Sequence, residues 1–249
     1  MVLLLADDGS ATSVYRLIYA YDSGAANGAE LRIVYTTGPI VTSTPTATPG
    51  TMTPTATPGT KTPTPTAMPP QVNLKVNASV DDAYDYSATA FSNNASTIRV
   101  GKYSAYKLTG GLRFSGVSVP KGATITQAVL RVKSSQTSSN ALHLKVSGEA
   151  ADNPGGFTST SVRPSVRVKT VAQVDWDPGA WSSDGWYESP DLKNVLQAIV
   201  NRSGWASGNA LVLLLADDGS ATSVYRLIYA YDSGASNGAE LRIAYTTRP

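Results

Sequence analysis

The chain is predicted to form an all-β fold, a jelly-roll-like antiparallel β-sandwich with one short helix at about 189–203. Three observations predict it. Short runs alternate apolar and polar residues with period two, most cleanly in Ala128-Val129-Leu130-Arg131-Val132-Lys133 and Leu142-His143-Leu144-Lys145-Val146. That period places one face of a strand in a core and the other toward solvent. Turn dipeptides separate the runs, among them Lys121-Gly122, Asp218-Gly219 and Asn237-Gly238, where backbone with positive φ is tolerated. Composition agrees: only 15% of the residues are charged, against about a quarter in an average domain, and Gly, Ser, Thr and Ala take their place.

Strands are expected at 97–102, 108–114, 124–134, 141–149, 165–171, 209–215, 224–231 and 239–245. Many short strands punctuated by regular turns suit a sandwich or jelly roll. The one helix has Ser189 as its expected N-cap, Pro190 at the first helical position and Asp191 complementing the dipole. Leu192, Val195, Leu196, Ile199 and Val200 form a helical apolar stripe, and Gly204 ends it. That stripe is expected to pack on the sandwich.

An internal repeat organises the chain. Residues 2–37 recur at 212–247 with two differences, Ala26 for Ser236 and Val34 for Ala244. Such a spacing matches one module plus a linker. The expected division is therefore 1–37, the C-terminal fragment of a preceding copy; 38–71, a Thr/Pro-rich linker; and 72–249, a complete sandwich module. Met1 aligns with Leu211, so the natural chain is expected to continue upstream, where a secretion signal is presumed to lie. Two or three strands alone are marginal, and residues 2–37 are expected to compete with 212–247 for one place in the sandwich.

The linker carries TPTATPG at 44–50 and again at 53–59. Frequent proline removes backbone donors and fixes φ, so an extended, solvated spacer is expected. At ~3.1 Å per residue it spans on the order of 100 Å. Its threonines are candidate O-glycan acceptors.

Several function classes are disfavoured. Twenty basic and eighteen acidic residues are interspersed, without the basic stripe that nucleic acid needs. There is no polybasic membrane patch and no apolar run long enough to insert in a bilayer. Cysteine is absent, which removes disulfides and thiolate chemistry. The single histidine, His143, sits in an alternating strand and is expected to face solvent beside Lys145; a catalytic triad would require it. Asp81, Asp82, Asp85, Glu149, Asp152, Asp175, Asp177, Asp184 and Glu188 are carboxylates from which a glycosidase pair would have to come, and most stand among turn residues. No enzyme is expected.

Two candidate sites remain. Asp81, Asp82 and Asp85 are candidate donors to a structural calcium ion, as separately are Asp217 and Asp218. Trp181, Trp186 and Tyr187, with Asp184 between them, fall in a Gly/Pro/Ser-rich stretch. Aromatic faces on loops stack on the C–H faces of sugars while a nearby carboxylate bonds the hydroxyls; the alternative is that these rings, like Trp176 and Trp205, cover the core.

Three segments carry a family resemblance: GGLRFSGVSVPKGATITQAVLRV (110–132), VDWDPGAWSSDGWYESPDLKNVLQAIVNRSGW (174–205) and SGNALVLLL (207–215). They resemble the DNRLRE-type, disaggregatase-related repeats, similar to carbohydrate-binding module family 96. The resemblance implies an extracellular jelly roll that takes polysaccharide or a cell-surface glycan as its partner, and it fixes no binding residue. The expectation is a non-catalytic module of a secreted or cell-surface protein, used for polysaccharide binding or adhesion and acting beside neighbouring modules of the same chain to gain avidity. The alternatives are a ligand-free stalk and an accessory module of a polysaccharide-degrading enzyme.

Overall fold

The computed structural model describes residues 69–87 and 89–247. The N-terminal copy, most of the linker and the competition between 2–37 and 212–247 lie outside those residues.

The architecture is the expected one, an antiparallel β-sandwich with one helix. The strands are β1 (Gln71–Lys75), β2 (Asp82–Asp85), β3 (Phe91–Ser92), β4 (Thr97–Tyr103), β5 (Tyr106–Phe114), β6 (Thr124–Lys133), β7 (Leu144–Glu149), β8 (Lys169–Trp176), β9 (Trp186–Glu188), β10 (Leu211–Asp217), β11 (Tyr225–Tyr229) and β12 (Glu240–Thr246), with α1 at Lys193–Val200. A four-stranded sheet runs β1-β12-β6-β9. The larger sheet runs β11-β4-β5-β10-β7-β8. It forks at β5, whose first residues pair with β4 and whose Thr109–Leu112 stretch pairs with β2.

Alternation explains the inner faces. Ala128, Leu130 and Val132 of β6 and Leu241 and Ile243 of β12 are buried against Leu144 and Val146 of β7 and Leu211, Leu213 and Leu215 of β10 in one core. β10 departs from simple alternation. Its Val212 and Leu214 face the other way and are equally buried, with Ala83 and Phe157, in a second small cluster. A strand covered on both faces requires a continuous apolar run, and Leu211-Val212-Leu213-Leu214-Leu215 supplies it. The cover comes from residues 150–168, which fold back across the outer face of the large sheet. Arg167 pins this strap: both Glu149 oxygens accept from its Nη1 at 3.0 Å, and the Gly155 and Gly156 carbonyls accept from its Nη2.

The five stripe residues are all buried, and α1 bridges β6 to β7 and β8, closing one side of the sandwich. The helix starts later than expected, because residues 186–189 extend along β6. Ser189 is not its cap. The Ser189 amide donates to the Leu130 carbonyl, and its Oγ accepts from the Leu130 amide. Leu192 stands at the N-cap without a side-chain cap bond, and Asp191 Oδ1, one residue earlier, accepts from the Lys193 amide at 3.0 Å. Gly148 lets α1 approach, since a Cβ there would lie 2.6 Å from Ile199 Cδ1.

The expected strand at 165–171 is displaced. Pro164–Val166 forms a 3₁₀ turn, tied by the Ser165 amide to the Asp85 carboxylate, and β8 starts only at Lys169. β1 begins at Gln71, paired with Ala244, so the module starts one residue before its expected boundary. Among the described residues no helix is long and apolar enough to cross a membrane.

Candidate functional site

The solvent face of the four-stranded sheet is built by the same alternation that builds the core. With Leu241 and Ile243 inward, Glu240, Arg242 and Ala244 of β12 must face outward. β6 presents Val129, Arg131 and Lys133; β1 presents Gln71, Asn73 and Lys75; β9 presents Trp186 and Glu188. The register sets Lys75, Glu240, Arg131 and Glu188 abreast across four strands, with Asn73, Arg242 and Val129 in the next row.

These side chains form a connected polar array. Glu240 pairs with Arg131 at 3.1 Å and Lys75 at 3.5 Å. Arg242 pairs with Glu188 at 3.1 Å and reaches Glu240 at 4.0 Å. The Trp186 ring lies beside the array, with the Arg131 guanidinium 4.4 Å and Lys75 Nζ 5.9 Å from its centroid. Two shallow grooves share Arg242. One, of about 160 Å³, is lined by Gln71, Gln127 and Glu188; the other, of about 340 Å³, by Asn73, Lys75 and Glu240. Such a face offers amide groups, spare carboxylate lone pairs and guanidinium N–H groups beside an indole. It can bond paired hydroxyls and hold an apolar ring face.

The expected aromatic cluster divides. Trp186 stays partly exposed on the sheet face, and exposed Asp184 stands next to it, 3.4 Å from Lys133 Nζ. Trp181 does not belong to an exposed platform: it is 1% exposed and part of the core. It forms a bridge with Ser138, lies 6.0 Å from Trp176, and stacks on Tyr187 at 4.7 Å between ring centroids. Tyr187 points inward because it alternates with Trp186, so it supports the site from below. Trp176 and Trp205 are core residues too, and Trp205 Nε1 donates to the Val119 carbonyl. The array residues Lys75, Arg131, Glu240, Arg242, Gln71, Asn73 and Gln127 went unnoticed in the sequence, where they are scattered over more than a hundred positions. The outward half of each alternating strand was the available signal.

The acidic candidates are held by partners rather than gathered. Asp81 pairs with Arg113, Asp85 with Arg163 and Ser165, Glu149 with Arg167, Asp152 with Arg202, Asp175 with Lys145 and Asp177 with His143. The expected calcium donors Asp81, Asp82 and Asp85 therefore do not converge. Asp217 accepts from the Gly219 and Ser220 amides, while Asp218 pairs with Lys145. Among the described residues no three His, Cys, Asp or Glu side chains are grouped to hold a metal.

Asp82 carries a measurable consequence. Burial, opposed by a bond from the Tyr231 amide, pushes its carboxyl from 3.8 up to about 7. A raised carboxyl favours the protonated fold. Stability linked to this group is therefore full below about pH 4, falls as pH climbs to about 7 and then levels, by at most about 4 kcal/mol. Asp82→Asn keeps an acceptor for Tyr231. Its melting temperature should exceed that of the native chain at about pH 8 and match it at about pH 4; equal melting at both would refute the linkage.

Fold and face together define an antiparallel β-sandwich module with a polar, tryptophan-edged sheet surface. No protein-family model matches the chain, and no curated protein matches it.

Proposed function

We propose that this module binds an uncharged, hydroxyl-rich polysaccharide on the open face of the four-stranded sheet, as a non-catalytic part of an extracellular or cell-surface protein. The observation that carries the reading is the continuous array from Lys75 to Glu188 beside the Trp186 ring. Every cation of that row already has a carboxylate. Net charge is therefore nearly cancelled, and hydroxyl groups rather than anions suit the face. The resemblance to DNRLRE-type repeats points the same way, and the Thr/Pro segment fits a secreted modular chain. Flat, open grooves match an extended chain better than a small molecule, which prefers an enclosing cavity. Weak binding at one face suffices where copies are linked.

Trp186→Ala in the full chain should weaken retention by neutral polysaccharides in affinity electrophoresis on the order of tenfold or more. The melting temperature should stay within a few degrees, since Trp186 is outside the core. Arg242→Ala should weaken binding in the same direction. Native-like retention of both variants would refute the assignment. The stalk reading gains from one observation, that the array is satisfied by its own ion pairs; no retention of the native chain by any glycan would favour it.

A further inference from the structure

The differences between the two repeated segments fall on one surface of the fold. Residues 2–37 and 212–247 differ at two of 36 aligned positions, Ala26 against Ser236 and Val34 against Ala244. In the folded module 212–247 supplies β11, β12 and all but the first residue of β10. Neither difference falls in the core: Ser236 is exposed, and Ala244 is half-buried on the outward side of β12. Both border the polar face of the small sheet. Ala244 lines the groove of about 160 Å³. The Ser236 carbonyl accepts at 2.8 Å from Nζ of Lys75, which lines the other groove. Exposed positions of the same segment away from that face, Asp218, Ala221 and Thr222 among them, are identical in both copies.

Ala244 sits in the middle of its groove. The register places Gln71 of β1 on one side of it and Gln127 of β6 on the other, and side chains directly opposed across strands share a face. Arg242 stands two residues earlier on the same strand, and Val129 and Glu188 complete the lining. The pairing of β12 with β6 shifts between Ala244 and Tyr245, and such irregularities re-aim side chains beside binding sites. Alanine is depleted in strands, where β-branched residues pack better against their neighbours. In β12, held between β1 and β6, the small side chain costs the sheet some packing and opens the groove.

From this geometry we infer that position 244 determines which neutral polysaccharide the face accepts: the groove over Ala244 takes the hydroxymethyl group that projects from a hexopyranose ring, and a valine there excludes it. The inference rests on the sheet-face reading proposed above. The methylene of the substituent lies over the alanine methyl, and its hydroxyl bonds the amides of Gln71 and Gln127, which both donate and accept. Valine places two more methyl groups in the same space. A module completed by the 2–37 sequence carries valine at the matching place and favours pentose chains, whose rings lack that group. Tandem copies then present two specificities on one scaffold.

The test measures retention of the full chain in affinity electrophoresis by unsubstituted xylan, which has no hydroxymethyl groups, and by linear glucan, mannan and galactan, which have them. At least one of the hexose polymers should retain the native chain more strongly than xylan does. Ala244→Val should weaken that retention on the order of tenfold, the size expected of a few carbon atoms in a shaped pocket, and leave retention by xylan unchanged or stronger. Its melting temperature should hold or rise, because valine suits a strand better than alanine. Ser236→Ala should change nothing, since a backbone carbonyl makes the contact with Lys75. The double variant, with the 2–37 residue at both places, should match Ala244→Val alone. Three results would overturn the role of position 244: native and Ala244→Val chains ranking the polymers alike, xylan as the preferred ligand of the native chain, or a shift in ranking by Ser236→Ala as large as that by Ala244→Val. Loss of retention in Trp186→Ala with an unmoved ranking in Ala244→Val removes that role and leaves the sheet face standing. No retention of the native chain by any of these polymers, or native-like retention of both Trp186→Ala and Arg242→Ala, removes both readings.

Discussion

Arg226→Ala should lower the melting temperature by about 10 °C, corresponding to roughly 3–5 kcal/mol in a domain of this size. Arg226 of β11 is completely buried, in register with Ile228 on the core side of its strand. No carboxylate partners it among the described residues. Oxygens accept from its two terminal nitrogens instead: Nη1 donates to Ser138 Oγ at 2.9 Å, and Nη2 to the Asn140 carbonyl at 2.6 Å and the Gly179 carbonyl at 3.4 Å, while the buried Nε has no partner among the described residues. It also lies 5.7 Å from the Trp181 centroid. Removing it leaves buried carbonyls without donors and a cavity beside the Trp181 ring, two costs that add.

The effect should reach the sheet face. Arg226 ties the loop holding Asn140 to the loop holding Gly179, Trp181 stacks on Tyr187, and Tyr187 adjoins Trp186. Arg226→Ala should therefore weaken neutral-glycan binding even at temperatures where the variant is folded. Arg226→Lys should recover little of either property, because one ammonium cannot reproduce a planar fork across three oxygens. Arg226→Met refills the volume and should fall between them. A calorimetric scan and a retention measurement at low temperature read both effects. An alanine variant melting within about 2 °C of the native chain would show that water replaces the guanidinium at little cost.

Gly111→Val should cost about 3–4 kcal/mol and release the strap. Any Cβ at Gly111 runs into the Phe157 ring and comes within 2.9 Å of Pro164 Cγ. Phe157 cannot retreat easily. Its amide donates to the Val80 carbonyl at 2.7 Å, Asn93 Nδ2 donates to its carbonyl at 2.6 Å, and the Arg167 guanidinium lies 4.8 Å from its ring centroid. The added bulk must therefore lift the strap and uncover Val212 and Leu214. Two signatures separate this from general unfolding. Proteolysis should become rapid within 150–168 while the rest resists. Neutral-glycan binding on the opposite sheet should persist. Unchanged proteolysis of 150–168 would mean that strap and sheet accommodate the side chain by small shifts.

Several elements were legible in the residues alone because their signal is local. The alternation of 128–133 and 142–146 correctly assigns inner and outer faces, and the stripe from Leu192 to Val200 is the buried side of α1. Ser189 does not cap the helix, whose N-cap is Leu192, because its amide and hydroxyl extend the pairing along β6. β2, β3 and β9 are two to four residues long, too short to show a period, and they are strands only because longer neighbours hold them. Trp181 and Trp186, five residues apart in the same turn-rich stretch, had equal standing as surface aromatics. One is in the core and one on the sheet face, a division made by the Ser138 bridge at Trp181 and the pairing of β9 with β6.

Composition and periodicity by themselves determined that this chain builds an antiparallel sandwich with one packed helix, because burial alternates at the spacing of neighbouring side chains. Tertiary structure alone decided which outward residues meet. Lys75, Arg131, Glu188 and Glu240 become one row through strand pairing. The physical reason is that register is set by contacts between segments far apart along the chain, and a one-residue slip would have turned every one of those side chains to the opposite face.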